Sequence, residues 1–397
     1  MFEMKKLKYI VNILDEYRKP VAADKRNQNA EVLYPYYGAS GKIDLIDGYT
    51  IDNHVMLIGE DGANLRMRNL PLMYEVNGKA WINNHAHILK PKEGYDFDFL
   101  FLALESLDIN LYITGSAQPK LSQENLKEIM VPVTSYNKQK KISKYLKDRC
   151  IELDILTSDI QKQIDTLEQY KKSVITETVT KGLNPDAEMK DSKTDWCPRI
   201  PVNWEVVNPK IMFALRTERA RKEDEQLTAS QEYGIVNQNK YMEITGTRVV
   251  TVEKDFSILK HVEPNDFVIS MRSFQGGLEF SEIRGCISSA YVMLIPDERY
   301  VYPPFYRWFF KSSKYINALQ STSNLVRDGQ AMRYANFIQV PLFLIPIEEQ
   351  MEISNYLNER CSEIDTIISD KKKQLEVIAE YKKSLIYEYV TGKKEVM

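Results

Sequence analysis

The sequence predicts an α+β protein: two globular α+β domains separated by two long helices that pair as an antiparallel coiled coil. Three observations predict it. Laying residues 139–180 over 350–391 without a gap gives 21 identities in 42 positions, which marks an internal duplication. Both copies repeat an apolar residue every seven positions and contain neither Pro nor Gly. Each copy is also preceded by the same order of strands, helix and polar loop, although the sequences of those preceding segments differ.

Taken in chain order, residues 1–128 form the first predicted domain. Strand candidates lie in "EVLYPYY", "HVMLIG", "AWI" and "HIL", with turns at "GASG", "EDGAN" and Asn83–His87. A helix over "FDFLFLALESL" then leads to the polar loop "TGSAQPKLS". Residues 129–190 form the first helical spacer, with Leu146, Leu153, Ile160, Leu167 and Val174 on its seam. Residues 191–336 form the second domain, with strands at "DFVIS" and "YVMLIP", a helix over "PPFYRWFFKSS" and the loop "STSNLVRDGQAMR". Residues 337–397 form the second spacer, with Leu357, Ile364, Ile378 and Leu385 on the seam and Lys371 interrupting it.

A second row follows three residues later: Arg149, Leu156, Gln163 and Tyr170, matched by Arg360, Ile367, Gln374 and Tyr381. A sustained seven-residue period predicts a narrow seam against a partner helix, and glutamines on it would set register. About 42 residues make a rod on the order of 60 Å. Gly182 with Asn184–Pro185 stops the first rod and Gly392 the second. Matching length and register within one chain predict that the two rods pair with each other, antiparallel.

At 397 residues the chain has room for two or three domains with cores of their own. No apolar run approaches a membrane span, and the four cysteines form no paired framework, so the expected setting is a reducing cytoplasm, with no membrane partner. The net charge of −3 excludes gripping a polyanion by bulk electrostatics. Residues 1–128 carry 15 basic and 18 acidic groups and 191–336 carry 19 and 18, so neither globular segment is itself strongly basic.

Catalytic patterns are missing: no GxxxxGK[ST] or GxGxxG marks a nucleotide site, and no HExxH is present. His85 and His87 alternate on a strand but have no further ligand nearby in sequence, so no metal is expected. "PDAEMK" (185–190) superficially resembles a nuclease signature but lies in a polar linker. Residues suited to reading base edges are present instead: Arg66 and Arg68 after "GEDGAN", the cluster Asn83, Asn84 and His85, and Lys120 in a Gln-Pro-Lys loop. In the second half, Arg272, Ser273 and Gln275 lie in "MRSFQGG", and Arg327 and Arg333 flank a glycine loop. Arg and Lys pair with guanine edges, Asn and Gln with adenine edges.

"YPYYGASGKIDLIDGYTID", "LIGEDGAN", "WINNHAHIL" and "GSAQPKLSQENLKEIMVPV" resemble the first target-recognition domain of type I restriction-modification specificity subunits. "CPRIPVNWEVV", "DFVISMRSFQGGLEF" and "RGCISSAYVMLIP" resemble a second such domain, and with the duplicated helices the likeness runs through essentially the whole chain. The resemblance implies a non-catalytic DNA-binding subunit, each domain reading half of a bipartite, asymmetric site in duplex DNA. Tyr37, Ser40, Lys42 and Tyr291 join the candidate DNA contacts on these motifs. The paired helices are then expected to set half-site spacing and to dock two modification (M) methyltransferase subunits, with restriction (R) subunits added. Half-sites read on one face would lie roughly 34 Å apart. S-adenosylmethionine, ATP and Mg²⁺ are expected on those partners, and no cofactor in this chain. The second polar loop lacks the Gln-Pro-Lys of the first, so the Lys120 role does not transfer there. Two alternatives are weighed: a coiled-coil scaffold without DNA readout, and a single-chain nuclease or methyltransferase.

Overall fold

The computed structural model describes residues 2–26, 31–249, 251–252, 256–270, 273–322 and 333–396. Packing groups them into two compact units, 1–161 with 372–397, and 162–371. Each unit combines a globular head with part of both long helices.

In the first unit, β1 (Glu3–Lys6) pairs antiparallel with β8 (Met130–Val133), the strand that leads into the first long helix. Six strands form one sheet: β2 (Val11–Ile13), β3 (Tyr34–Gly38), β4 (Gly41–Ile46), β5 (Ile51–Gly59), β6 (Met73–Ile82) and β7 (Ala86–Pro91). Their order is β2-β7-β5-β6-β3-β4, antiparallel throughout except for β3 beside β6. The sheet curls. Gly59 at the end of β5 reaches the β3–β4 turn, where an added Cβ would lie 2.8 Å from the Ala39 carbonyl oxygen. Only a glycine permits that approach.

Three helices complete this head: α1 (Asn64–Met67), α2 (Phe97–Ser106) and α3 (Gln123–Glu128). Asp96 starts α2 by accepting a hydrogen bond from the Phe99 amide at 3.0 Å, and Ser122 caps α3 in the same way. The buried face of α2 (Phe99, Leu100, Ala103 and Leu104) packs with Met56, Ile58 and Leu89 of the sheet.

The first long helix, α4 (Tyr136–Lys181), is unbroken for 46 residues and stops at Gly182, whose φ of +76° suits glycine. The second, α10 (Ile347–Val390), runs for 44 residues. In the first unit the start of α4 lies against the end of α10: Lys138 bonds Glu395 at 2.6 Å, Tyr145 meets Tyr389 with ring centroids 4.9 Å apart, and Lys382 bonds Asp154 at 2.6 Å. As numbers rise on one helix they fall on the other, so the pairing is antiparallel. The second unit pairs in the same sense, through Lys371 with Gln163, Lys171 with Asp365 at 2.6 Å, and the Arg360 guanidinium over the Tyr170 ring.

Of the predicted seam, Leu146, Ile160, Leu357, Ile364 and Leu385 are buried, while Leu153, Leu167, Val174 and Ile378 are half-buried. The predicted second row needs correction. Leu156, Tyr170, Ile367 and Tyr381 are exposed, and so are Gln163 and Gln374. The buried companions lie four residues after the seam: Ile164 and Ile368, with Cys361 buried and Cys150 half-buried. At 3.6 residues per turn, positions three and four residues on both adjoin the seam, so the seven-residue period alone does not choose between them.

In the second unit, β9 (Met189–Asp191) pairs with β10 (Arg199–Pro201), so the end of the supposed linker "PDAEMK" is strand. β11 (Glu205–Val207) pairs with β20 (Leu342–Leu344), the strand that leads into α10. β12 (Phe213–Arg216), β16 (Phe267–Ile269), β17 (Glu279–Phe280) and β19 (Val292–Pro296) form an antiparallel sheet ordered β12-β19-β16-β17. β13 (Leu227–Ser230) pairs with β14 (Gly234–Asn237), and β15 (Lys260–Val262) with β18 (Gly285–Ile287). Helices α5 (Gln238–Thr245) and α6 (Ser273–Gly276) follow in chain order. The stretch expected to be one helix is two, α7 (Pro303–Phe309) and α8 (Ser313–Ser321), and the fully buried Ser312 between them donates its hydroxyl to the Phe309 carbonyl. A four-residue α9 (Tyr334–Phe337) precedes β20.

The duplication places matching residues at matching jobs. Ile142 and Leu146 enter the first head's core, and Ile353 and Leu357 the second's. Gln139 is fully buried; its side-chain oxygen accepts from the Asp96 amide at 2.9 Å and its amide group donates to the Thr134 carbonyl. Gln350, also fully buried, accepts from the Tyr302 amide at 2.7 Å and donates to the Tyr300 and Ile345 carbonyls. Asp96 and Tyr302 begin α2 and α7, so each head hangs its main helix on the same glutamine of its spacer.

Candidate nucleic-acid interface

Curling of the first head's sheet brings four separate loops together. The Asn83 amide donates to the Tyr37 carbonyl at 2.9 Å, joining the turn after β6 to the end of β3. The Glu60 amide donates to the His85 carbonyl, the Gly62 amide to the Pro119 carbonyl and the Leu121 amide to the Glu60 carbonyl. Thr114 and Lys120 exchange both backbone hydrogen bonds, closing residues 115–119 into a tight loop. Gly115 sits there with a φ of +79°, where an added Cβ would run into the Gln118 carbonyl.

Tyr37, Asn83, Asn84, His85 and Lys120, scattered over 84 positions of sequence, therefore share one neighbourhood. Ser40 lies in the β3–β4 turn, with the exposed Lys42 just beyond it opposite Tyr37. Asn83 is nearly buried, and its side-chain oxygen has no hydrogen-bond partner among the described residues. His85 Nδ1 lies 2.7 Å from Asp61 on the exposed side.

The arginines behave differently from the expectation of free reading groups. Arg66 donates to the Ile113 carbonyl at 3.1 Å, bracing the 114–120 loop. Arg68, held at a φ of +52°, donates to the Glu105 and Leu107 carbonyls and pairs with the Glu105 carboxylate at 3.5 Å. Burial pushes the Glu105 carboxyl above its ordinary range, although Arg68 and the Leu72 and Met73 amides oppose the shift.

A polar network that sequence reading missed lies under these loops. Arg18 pairs with Glu60 at 2.5 Å and with Asp15 at 3.2 Å, and donates to the Asn84 carbonyl. Lys120 Nζ lies 3.3 Å from Glu60. Burial works against charge on Glu60, but Arg18, His87 and Lys120 together hold its carboxyl below the usual range. His87 is buried in this network rather than offered to a metal, and among the described residues no His/Cys/Asp/Glu group is arranged to hold one.

In the second head, Arg272 and Arg327 fall outside the described residues. Ser273 is fully buried and accepts from the Ser270 amide at 2.8 Å, holding the turn that presents the exposed Gln275. The half-buried Tyr291 packs on a small cluster with Val268 and Met293, and its carbonyl accepts from Lys260 at 2.6 Å. Arg333 is exposed at the start of α9, where its amide donates to the Asn336 side chain. Its own buried network joins Arg216 to Asp266 through two bonds of 2.6 and 2.9 Å, and sets His261 between Asp224 and Glu263 at 2.7 Å each.

This architecture sets two unlike α+β heads on duplicated antiparallel helices. Residues 1–166 match the model of the type I restriction modification DNA specificity domain. A candidate type I restriction enzyme specificity subunit of Haemophilus influenzae is 33% identical over 144 residues, 36% of this chain and 36% of that protein. The chain thus covers about a third of that relative's length. The type I restriction enzyme MjaVIII specificity subunit of Methanocaldococcus jannaschii is 24% identical over 311 residues, 75% of this chain and 70% of that one. Among solved structures, a chain from a study of complex assembly and conformational transition in the type I R-M system superposes with a TM-score of 0.69 at 11% identity, covering 99% of this chain and 98% of that one. The HsdS subunit of Thermoanaerobacter tengcongensis gives 0.52 at 11% identity, covering 99% and 97%. The chain is thus similar to type I restriction enzyme specificity subunits over three quarters of its length, and its first 166 residues match the model of their DNA specificity domain.

Proposed function

We propose that the chain is the DNA-reading subunit of a type I restriction-modification complex in the cytoplasm. Residues 1–128 and 191–336 each read half of a bipartite, asymmetric site in duplex DNA. The helical spacers, 129–190 and 337–397, set the distance between half-sites and dock two modification (M) methyltransferase subunits, to which restriction (R) subunits add. S-adenosylmethionine, ATP and Mg²⁺ belong to those partners. The observation that carries this reading is the convergence of Tyr37, Ser40, Asn83, Asn84, His85 and Lys120 on one surface of the first head. Donors of that kind, held by backbone bonds, suit base edges in a groove. In the second head the reading falls on Gln275, Tyr291 and Arg333, with Arg272 and Arg327 beside them in sequence. The near-neutral charge of both heads fits a complex in which partner subunits supply many of the phosphate contacts.

Selecting duplexes from a random pool with the chain and its methyltransferase subunit should return two short consensus blocks separated by a fixed gap. A pool with no consensus would favour a bare scaffold. Robust methyl transfer or cleavage by the chain alone would favour an enzyme.

A further inference from the structure

His87 occupies a position that ordinary neutral histidine chemistry does not satisfy. The ring is 1% exposed. Its Nδ1 lies 2.7 Å from Asp15 Oδ2 and its Nε2 lies 2.9 Å from the Leu121 carbonyl oxygen. A carbonyl oxygen accepts only, so Nε2 must donate. Asp15 is also used as an acceptor: Oδ1 takes the Ile88 amide, while Oδ2 takes the Gln123 side-chain amide at 3.0 Å and lies 3.2 Å from Arg18. With those donors already on the carboxylate, a proton on Oδ2 has no place, so Nδ1 must donate as well. A neutral imidazole carries a single N–H. The charged groups facing the ring are consistent with a second: Asp15, Arg18 on the same turn as Asp15, Glu60 at 3.9 Å and Lys120 beside Glu60. Burial opposes charge on Asp15, but the bonds from His87, Gln123 and Ile88 hold its carboxyl below the usual range.

We infer that His87 carries a proton on both ring nitrogens and, in that form, is the positioning residue that holds the Thr114–Leu121 loop, and with it Lys120, against the first head. The inference rests on the reading of Lys120 as a DNA contact only for its functional half. Loss of either N–H leaves an acceptor facing a bare nitrogen inside the protein, a repulsive arrangement that the loop can relieve by lifting away. The bond to Leu121 is one residue from Lys120, and Arg18 ties the same network to the Asn84 carbonyl, so two reading loops depend on one buried charge.

Nitrogen-15 NMR of the histidine-labelled full chain at neutral pH, assigned with His87→Gln, tests the first half. Both His87 nitrogens are expected to show one-bond coupling to a proton, and one uncoupled nitrogen overturns the inference. The random-pool selection, repeated with His87→Gln and the methyltransferase subunit, tests the second half. The expected result is a loss of tenfold or more in base preference confined to the half-site read by the first head. Unchanged preference, or equal loss in both halves, overturns the positioning role. If His87→Gln fails to fold, the remaining labelled histidines are assigned by His54→Gln, His85→Gln and His261→Gln, and the NMR result on the unsubstituted chain still decides. If the unsubstituted chain returns no consensus, the DNA reading fails while the ring's protonation is still measured.

Discussion

The two heads solve the same attachment problem with different interiors. Of the twelve largest fully buried side chains among the described residues, Tyr36 and Phe99 lie in the first unit, whereas the second holds Trp204, Phe213, Phe267, Phe305, Tyr306, Phe309, Phe310, Tyr315, Phe337 and Phe343. The first head is built on a curled sheet of aliphatic residues, the second on a cluster of rings in edge and tilted contacts 5–6 Å apart. The seat on the spacer is nevertheless the same glutamine, isoleucine and leucine in both. Attachment and content are separable: the duplicated helix fixes where a head begins, and the head's own core fixes what it presents.

Emptying the aromatic core is expected to have the largest effect. Phe310→Ala removes a ring packed against Phe213, Phe267, Tyr315 and Phe337, and should cost about 3–5 kcal/mol. Hydrogen exchange should show the loss in the second unit while the amides of β5 and β6 keep their protection; matching loss in both units would break the separation. Next come the seats. Gln139→Leu removes the acceptor of the Asp96 amide and a donor to the Thr134 carbonyl, and Gln350→Leu removes the acceptor of one amide and the donor to two carbonyls, so each should cost about 1–3 kcal/mol, with Gln350 the larger. Denaturant melts of the single and double variants check both the order and its additivity.

Acid should act in opposite directions at particular carboxyls of the two heads. In the first unit Asp15 and Glu60 are held below their ordinary range, and the exposed Glu128 is lowered to about 2 by Lys6 and Lys8. Carboxyls depressed on folding contribute stability above their unfolded values and lose it as pH falls through the folded ones, here from the ordinary carboxylate range towards about 2. In the second unit burial raises Asp266 and Glu279, with Arg216 and Lys311 opposing. Those groups take up protons in the folded state first, so acidification entering the carboxylate range favours that fold at these two sites. Hydrogen exchange between pH 6 and 3 should therefore show the amides around Asp15 and Glu60 loosening before those around Asp266 and Glu279. The smallest effect belongs to the matched pairs Lys171–Asp365 and Lys382–Asp154, each 2.6 Å and partly exposed. Double-mutant cycles should give about 0.2–1 kcal/mol for each, and equal values for the two.

The helices were the most legible part of the sequence: a period of seven over 42 residues without Pro or Gly leaves little else for the backbone to do. The second row was misplaced by one residue because periodicity alone does not choose between neighbours three and four on; the burial of Ile164 and Ile368 does. Individual strands were readable as apolar runs, but the curl that unites Tyr37, Asn83 and Lys120 was not, since it depends on contacts between strands far apart in the chain. Arg66 and Arg68 looked like reading groups, and their bonds to main-chain carbonyls are contacts that local sequence does not encode. Asp15 and His87, 72 positions apart, had no shared signal at all; the alternation of His85 and His87 on a strand was the one available hint.

Gly59 carries a consequence out of proportion to its size. The gap it leaves beside Ala39 is what lets the end of β5 rest against the β3–β4 turn, and the 60–62 and 83–85 segments follow from there. A single methyl at this position would act as a wedge driven between loops that carry every polar group unaltered. Such a variant would keep every side chain of that surface yet shift their spacing.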